Sequence, residues 1–161
     1  MRNLTYLLAA FAALICMAVS CEKTSEPVPQ GHIDSKLVGE WQLLGAKAEG
    51  ATISSDIDVY LGIGSDCSFE LYQKSGTQSV RYDKFTGTCT SEGNILSGIY
   101  SNGDAWGSRY TYSFTIAGLL LESYNRLEEQ RYVKAEIPSD VKANANCVTT
   151  KSAAISGAPV L

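Results

Sequence analysis

The chain has 161 residues, 13 basic against 17 acidic side chains, a formal net charge of −4 and a single histidine. With no basic cluster it lacks the positive face that phosphate recognition needs, which argues against a nucleic-acid partner. Five cysteines without a Cys-x-x-Cys pair, beside one histidine, leave no set of ligands from which a zinc site is drawn.

Residues 1–20 read as an export signal. Arg2 is their only charge, and Leu4 to Val19 form an apolar run ending in small residues. The run is short for a membrane span, which takes about 20 apolar residues. Ala18 and Ser20 precede Cys21 in "AVSC", the form of a bacterial lipoprotein signal, after which the cysteine is acylated and becomes the new N-terminus. Ala18 stands where that box more often has Leu. The other reading is a secreted chain with Cys21 as an ordinary thiol. On the first reading Cys21 is the lipid attachment site, and the protein is held in the cell envelope at the outer membrane of a Gram-negative bacterium, its face unspecified. Each buried CH₂ contributes ~0.8 kcal/mol, so several acyl chains hold firmly where one does not. Residues 22–35, with Pro27, Pro29, Glu22, Glu26 and Asp34, read as a polar tether with too little apolar surface for a core.

The chain from Cys21 carries 12 basic and 17 acidic residues, a charge of −5 once Arg2 is gone. Its domain is expected over 36–146, with a C-terminal tail at 147–161. Strand candidates follow in order at 36–46, 58–64, 67–74, 80–90, 95–101, 108–117, 119–125 and 129–137. Turn signals separate most of them: "GSD", "GTQS", "SEGN", "NGDAWG" and Gly118. Tyr110, Tyr112, Phe114 and Ile116 share one strand face, with Arg109, Thr111, Ser113 and Thr115 on the other. Ile57, Val59, Leu61 and Ile63 oppose Asp58 and Tyr60 in the same way. One apolar and one solvated face is the mark of an antiparallel sheet. Eight such strands joined by tight turns predict an all-β fold, an eight-stranded up-and-down barrel that removes its own sheet edges. A two-sheet sandwich is the alternative. Residues 138–145 form the one helical piece, with Ser139 placed to cap it and Asp140 suited to its N-terminal end. The final apolar residues either stay loose or dock on the barrel.

"LVGEWQL" puts Gly39 and Trp41 on the first strand, and "GNILSGIYSNGDAWG" follows at 93–107. Together with "SFELYQK" and "YTYSF" these stretches resemble the small lipocalin-like lipoproteins of Bacteroidetes over nearly all of 36–137. The resemblance implies an eight-stranded calyx on a lipid anchor, with Trp41 closing one end. It implies little about activity. The full set of lipocalin sequence boxes is missing, so no lipocalin ligand follows.

Pairing residues whose numbers sum to 156 sets Leu71 opposite Phe85, Phe69 opposite Gly87 and Cys67 opposite Cys89, all on the inward side. In an oxidising compartment the two thiols form a disulfide, or they are two small buried hydrophobes. Cys147 is either unpaired or the partner of one of the others.

Nothing suggests catalysis. The lone His32 lies on the tether, and no Gly-x-Ser-x-Gly occurs. "GIGSDC" reads as a hairpin turn, Asp56, Asp58 and Asp66 lack the order of a calcium loop, and Glu128 and Glu129 belong to a turn. No catalytic residue, cofactor or metal is therefore expected, and the chain reads as a monomer. The candidate ligand-binding residues are Trp41, Phe69, Phe85, Trp106, Arg109, Tyr110, Tyr112 and Phe114. Among them Trp106, Arg109 and Tyr110 form an expected rim, with Trp106 a lid or an exposed contact. Two functions follow from different classes. One is a barrel that binds a small, partly apolar molecule in its mouth. The other is an interaction or structural lipoprotein with a filled barrel and partner-binding loops. A cavity of about 300 Å³ or more separates them.

Overall fold

The structure, a computed structural model, describes residues 31–49, 51–53, 57–75, 81–125, 127–150 and 159–161. The signal at 1–20, Cys21, most of the tether and the 76–79 turn lie outside the described residues.

The expected strands form. In chain order they are β1 (Gly39–Ala48), β2 (Ala51–Ile53), β3 (Ile57–Ile63), β4 (Ser68–Ser75), β5 (Asp83–Glu92), β6 (Ile95–Tyr100), β7 (Tyr110–Thr115), β8 (Gly118–Ser123), β9 (Glu128–Lys134) and β10 (Asn146–Cys147). Setting β2 and β10 aside, each strand pairs with the next in chain order, and β9 returns to pair antiparallel with β1 from Trp41↔Lys134 to Ala48↔Glu128. The ring therefore closes as an eight-stranded antiparallel barrel, and the sandwich alternative falls away. The short β2 extends β1, and β10 lies parallel to the start of β5.

The interior follows strand parity. Val59, Leu61 and Ile63 on β3, Phe69 and Leu71 on β4, and Leu119 and Leu121 on β8 are all buried in one cluster. Burying each such side chain contributes about 1.5–3 kcal/mol. A register shift between Leu43 and Gly45 leaves Leu44 as the extra residue of a bulge, and it points into solvent at 64% exposure. Gly39 opens β1 at φ 133°, a backbone region that side chains with a Cβ rarely enter, and this accounts for the glycine two residues before Trp41.

Several expectations need correction. Ile116 does not share the inward face of Tyr110 and Tyr112: Thr115 pairs with Gly118, which makes Ile116 and Ala117 the two residues of the hairpin loop and leaves Ile116 fully exposed. Tyr60 does not face solvent. It packs with Tyr72, Ile137 and Val141 in a second cluster, where α1 (Ser139–Asn144) covers the outer face of β3 and β4. Ser139 does not cap that helix; Pro138 is at the cap with no side-chain hydrogen bond, and Ser139 is already helical. The tether reaches less far than residue 35. His32 O accepts from Ser91 N at 2.7 Å, Asp34 N donates to Ser91 Oγ at 2.7 Å, and Ile33 is buried, so 31–35 belongs to the barrel.

Candidate functional site

The barrel has two different ends. At the first, the turn at 34–37 folds over the start of β1. Leu37 is fully buried there, and Trp41 Nε1 donates to Leu37 O at 2.9 Å. The Trp41 ring lies under Lys134 Nζ at 5.2 Å and beside Phe114 at 6.2 Å. The Tyr112 hydroxyl lies 2.9 Å from Gly93 O and 3.1 Å from Asp34 Oδ2, and donates to one at a time. The Lys36 amide on Asp34 Oδ1, with the Tyr112 hydroxyl, outweighs desolvation and holds the Asp34 carboxyl below its ordinary range. Among the described residues, side chains plug this end.

The second end, the mouth, is where β4, β6 and β8 finish and β5, β7 and β9 begin. Phe69 meets Trp106 at 5.1 Å and Tyr100 at 5.6 Å, and Phe85 meets Tyr100 at 6.0 Å. Above these rings the inner wall turns polar. Gln73, Ser123 and Gln130 are buried at 4%, 1% and 4% exposure, beside the phenols of Tyr100, Tyr110 and Tyr132. Burial holds all three phenols well above their ordinary range, so they are neutral donors throughout the physiological range.

Residues 159–161 occupy this polar ring. Val160 N donates to Gln73 Oε1 at 3.0 Å, and Gln130 Nε2 donates to Val160 O at 2.6 Å. Tyr132 Oη donates to Gln130 Oε1 at 2.7 Å, which turns the amide so that its NH₂ faces Val160. Tyr100 Oη donates to Leu161 O at 2.6 Å, and Leu161 is buried at 2% exposure. Tyr110 Oη lies 3.2 Å from Glu128 Oε2 and 3.4 Å from Val160 O. Before this segment, Thr150 is bound at the 102–104 loop, where Asn102 Nδ2 donates to Thr150 Oγ1 at 2.6 Å and Thr150 Oγ1 donates to the Asp104 carboxylate. Of the two expectations for the tail, docking is the one realised for these last residues, and they dock inside the barrel.

The eight candidate residues do not converge. Trp41, Tyr112 and Phe114 lie at the plugged end, Phe114 with 40% exposure. Phe69, Phe85, Trp106 and Tyr110 line the interior towards the mouth. The expected rim of Trp106, Arg109 and Tyr110 is split. Trp106 is neither lid nor exposed contact; it is buried at 5% because Gly98 leaves room for its indole inside the wall. Its Nε1 has no hydrogen-bond acceptor among the described residues. Arg109 stays outside, stacked at 5.1 Å on Tyr124. The residues missed were Gln73, Tyr100, Gln130 and Tyr132. Gln73 was within reach, since it follows Phe69 and Leu71 at a spacing of two and so shares their inward face.

The register that set Phe69 opposite Gly87 and Leu71 opposite Phe85 is the one observed. The Cys67–Cys89 disulfide is nevertheless not formed; both thiols are free and buried. Regular pairing stops at Ser68↔Thr88, and Cys67 turns to φ 66°, which sends its Sγ to Gly31 O at 3.0 Å. Burial, with Cys67 and Asp66 nearby, pushes the Cys89 thiol up to about 12. Cys147 is in a disulfide. Among the described residues no group of three or more His, Cys, Asp or Glu side chains is placed to hold a metal ion. A groove of about 900 Å³ lies outside the barrel between β1, β9 and α1, spanned by the Lys142–Glu40 ion pair at 2.7 Å.

No family model matches the chain, nor does any curated protein. Among solved structures it is similar to lipoprotein YedD from Klebsiella pneumoniae subsp. pneumoniae MGH 78578, at 19% identity over 83% of this chain and 97% of that one, with a TM-score of 0.45.

Proposed function

We propose that the protein is a lipocalin-like barrel of the cell envelope, anchored through lipid on Cys21, that binds a small, partly apolar molecule in its mouth and catalyses nothing. The observation that carries this reading is the composition of the mouth. A barrel that is only a filled scaffold has no need of buried Gln73, Gln130, Tyr100 and Tyr110 at one end, because a buried polar group costs free energy unless it is paired. Here aromatic rings floor a ring of donors and acceptors, the usual build of a small-molecule site. The phenols are neutral, and no charge cluster, metal set or nucleophile lies among them, which supports binding without chemistry.

The test is titration of the chain lacking residues 159–161 with N-phenyl-1-naphthylamine, an uncharged apolar fluorophore. Saturable binding of one equivalent supports the reading; fluorescence without saturation overturns it. The anchor has its own test. Cys21→Ser is expected to release the protein from membranes, and unchanged membrane association removes the anchor reading.

One observation favours a second reading of the N-terminus. Cys67 and Cys89 are free while Cys147 is in a disulfide, so the partner of Cys147 lies outside the described residues, where the sequence has Cys16 and Cys21. A sulfur in a disulfide cannot also carry a thioether lipid. On this second reading Cys21 is the disulfide partner, and the exported chain is not acylated.

A further inference from the structure

The 159–161 segment sits in the mouth as a ligand sits in a site. Its contacts to Gln73, Gln130 and Tyr100 are made by backbone N–H and C=O groups, not by particular side chains. Val160 is held on both sides, its N–H by one glutamine and its carbonyl by the other. The side chain of Leu161 adds apolar burial on the aromatic floor, within the same cluster as Phe69, Phe85 and Trp106. This is recognition of peptide backbone followed by an aliphatic residue.

We infer that residues 159–161 are an internal occupant of the binding mouth, and that the site takes a peptide segment of small and aliphatic residues held by its backbone, from which this segment shields it. The inference rests on the mouth being the binding site. Three features support release. Pro159 and Val160 are only half-buried, so little apolar surface is lost when they leave. The β6–β7 ladder is two residue pairs long, Ile95↔Thr111 and Leu96↔Tyr110, so the wall beside the segment is its least paired seam. Trp106 Nε1, on a ring 6.3 Å from that of Tyr110, adds a buried donor that the segment leaves unused. An internal occupant competes at a high effective concentration, so a free peptide binds only when its affinity or supply overcomes that advantage.

The test uses the full chain first. Amide hydrogen exchange at Val160 and Leu161 is expected at least tenfold faster than at Leu71 and Leu121 in the barrel wall, by local release rather than unfolding. Exchange of all four only on global unfolding makes the segment a permanent staple and overturns the inference. The second arm uses the peptide Ser-Gly-Ala-Pro-Val-Leu, the sequence of residues 156–161. It is expected to bind the chain lacking 159–161 at least tenfold more tightly than the full chain, and Gln130→Leu in the shortened chain weakens it at least tenfold. Equal binding to both chains overturns the inference. Saturable binding of N-phenyl-1-naphthylamine to the shortened chain, without peptide binding, overturns the peptide inference but leaves the mouth a binding site. If neither probe binds, both readings fail.

Discussion

Tyr100 and Leu161, 61 positions apart, meet at 2.6 Å where the phenol donates to the Leu161 backbone oxygen, and both residues are buried. The bond ties the end of β6 to a segment inside the barrel. Tyr100 also packs edge-on to Phe69 and Phe85, so a single side chain joins the aromatic floor to the polar ring above it.

Tyr100→Phe keeps that packing and removes the donor. Leu161 O is then buried without its partner, which costs about 1–3 kcal/mol. Urea denaturation is expected to show a lower midpoint with an unchanged slope, and a stability within about 0.3 kcal/mol of the parent refutes the role given to this bond.

Gly98 faces the indole of Trp106, and a Cβ there falls 2.6 Å from Cζ2 and 2.7 Å from Cδ2. Both are atoms of a rigid ring packed on Phe69, so neither moves freely. Gly98→Ala is expected to destabilise by about 1–3 kcal/mol through overpacking and to shift Trp106 emission to longer wavelength as the ring moves towards water. Unchanged emission and stability disprove the packing.

The two free thiols give a count. Both thiols are buried, and the raised ionisation of Cys89 keeps it a protonated thiol, which is a poor nucleophile. Native protein at pH 8 is expected to leave both unreacted with a disulfide-exchange reagent over minutes, and denatured, unreduced protein to release two thiols on the disulfide reading of Cys21 and three on the lipid reading. A mass increase from acylation at Cys21 requires a third thiol, since Cys147 then lacks Cys21 as a partner. Intact mass and thiol count read together separate the two N-terminal readings.

Stability is expected to fall on the alkaline side. Cys89 and the phenols of Tyr100, Tyr110 and Tyr132 all ionise at higher pH in the folded chain than in the unfolded one, with burial the first cause in each. Groups raised in this way contribute stability that is complete below their unfolded values and is lost as pH rises towards their folded ones. Loss therefore begins near about pH 8.5 for the thiol and steepens above about 10 for the phenols. Urea midpoints from pH 7 to 11 check this, and a flat profile across that range contradicts the burial of these groups.

Period-two alternation in β3 and β4 was enough to place the inward residues, because a strand with one buried face leaves its parity in the sequence. The same rule failed at Ile116, where a two-residue turn ends the strand, and at Tyr60, where the supposed solvent face is covered by α1. Gln73 kept its parity with Phe69 and Leu71, yet as a polar residue it did not register as interior.

The sequence by itself determined the eight strands, their order and the β4–β5 register, since these follow from local pattern and turn chemistry. Only the tertiary structure decided that Cys67 turns away at the end of its strand, that Trp106 goes inside and Arg109 outside, and that residues 159–161 fill the mouth. Each of these depends on groups far apart in the chain, Gly98 against Trp106 or Gln73 and Gln130 about Val160, and no local pattern encodes a partner dozens of residues away.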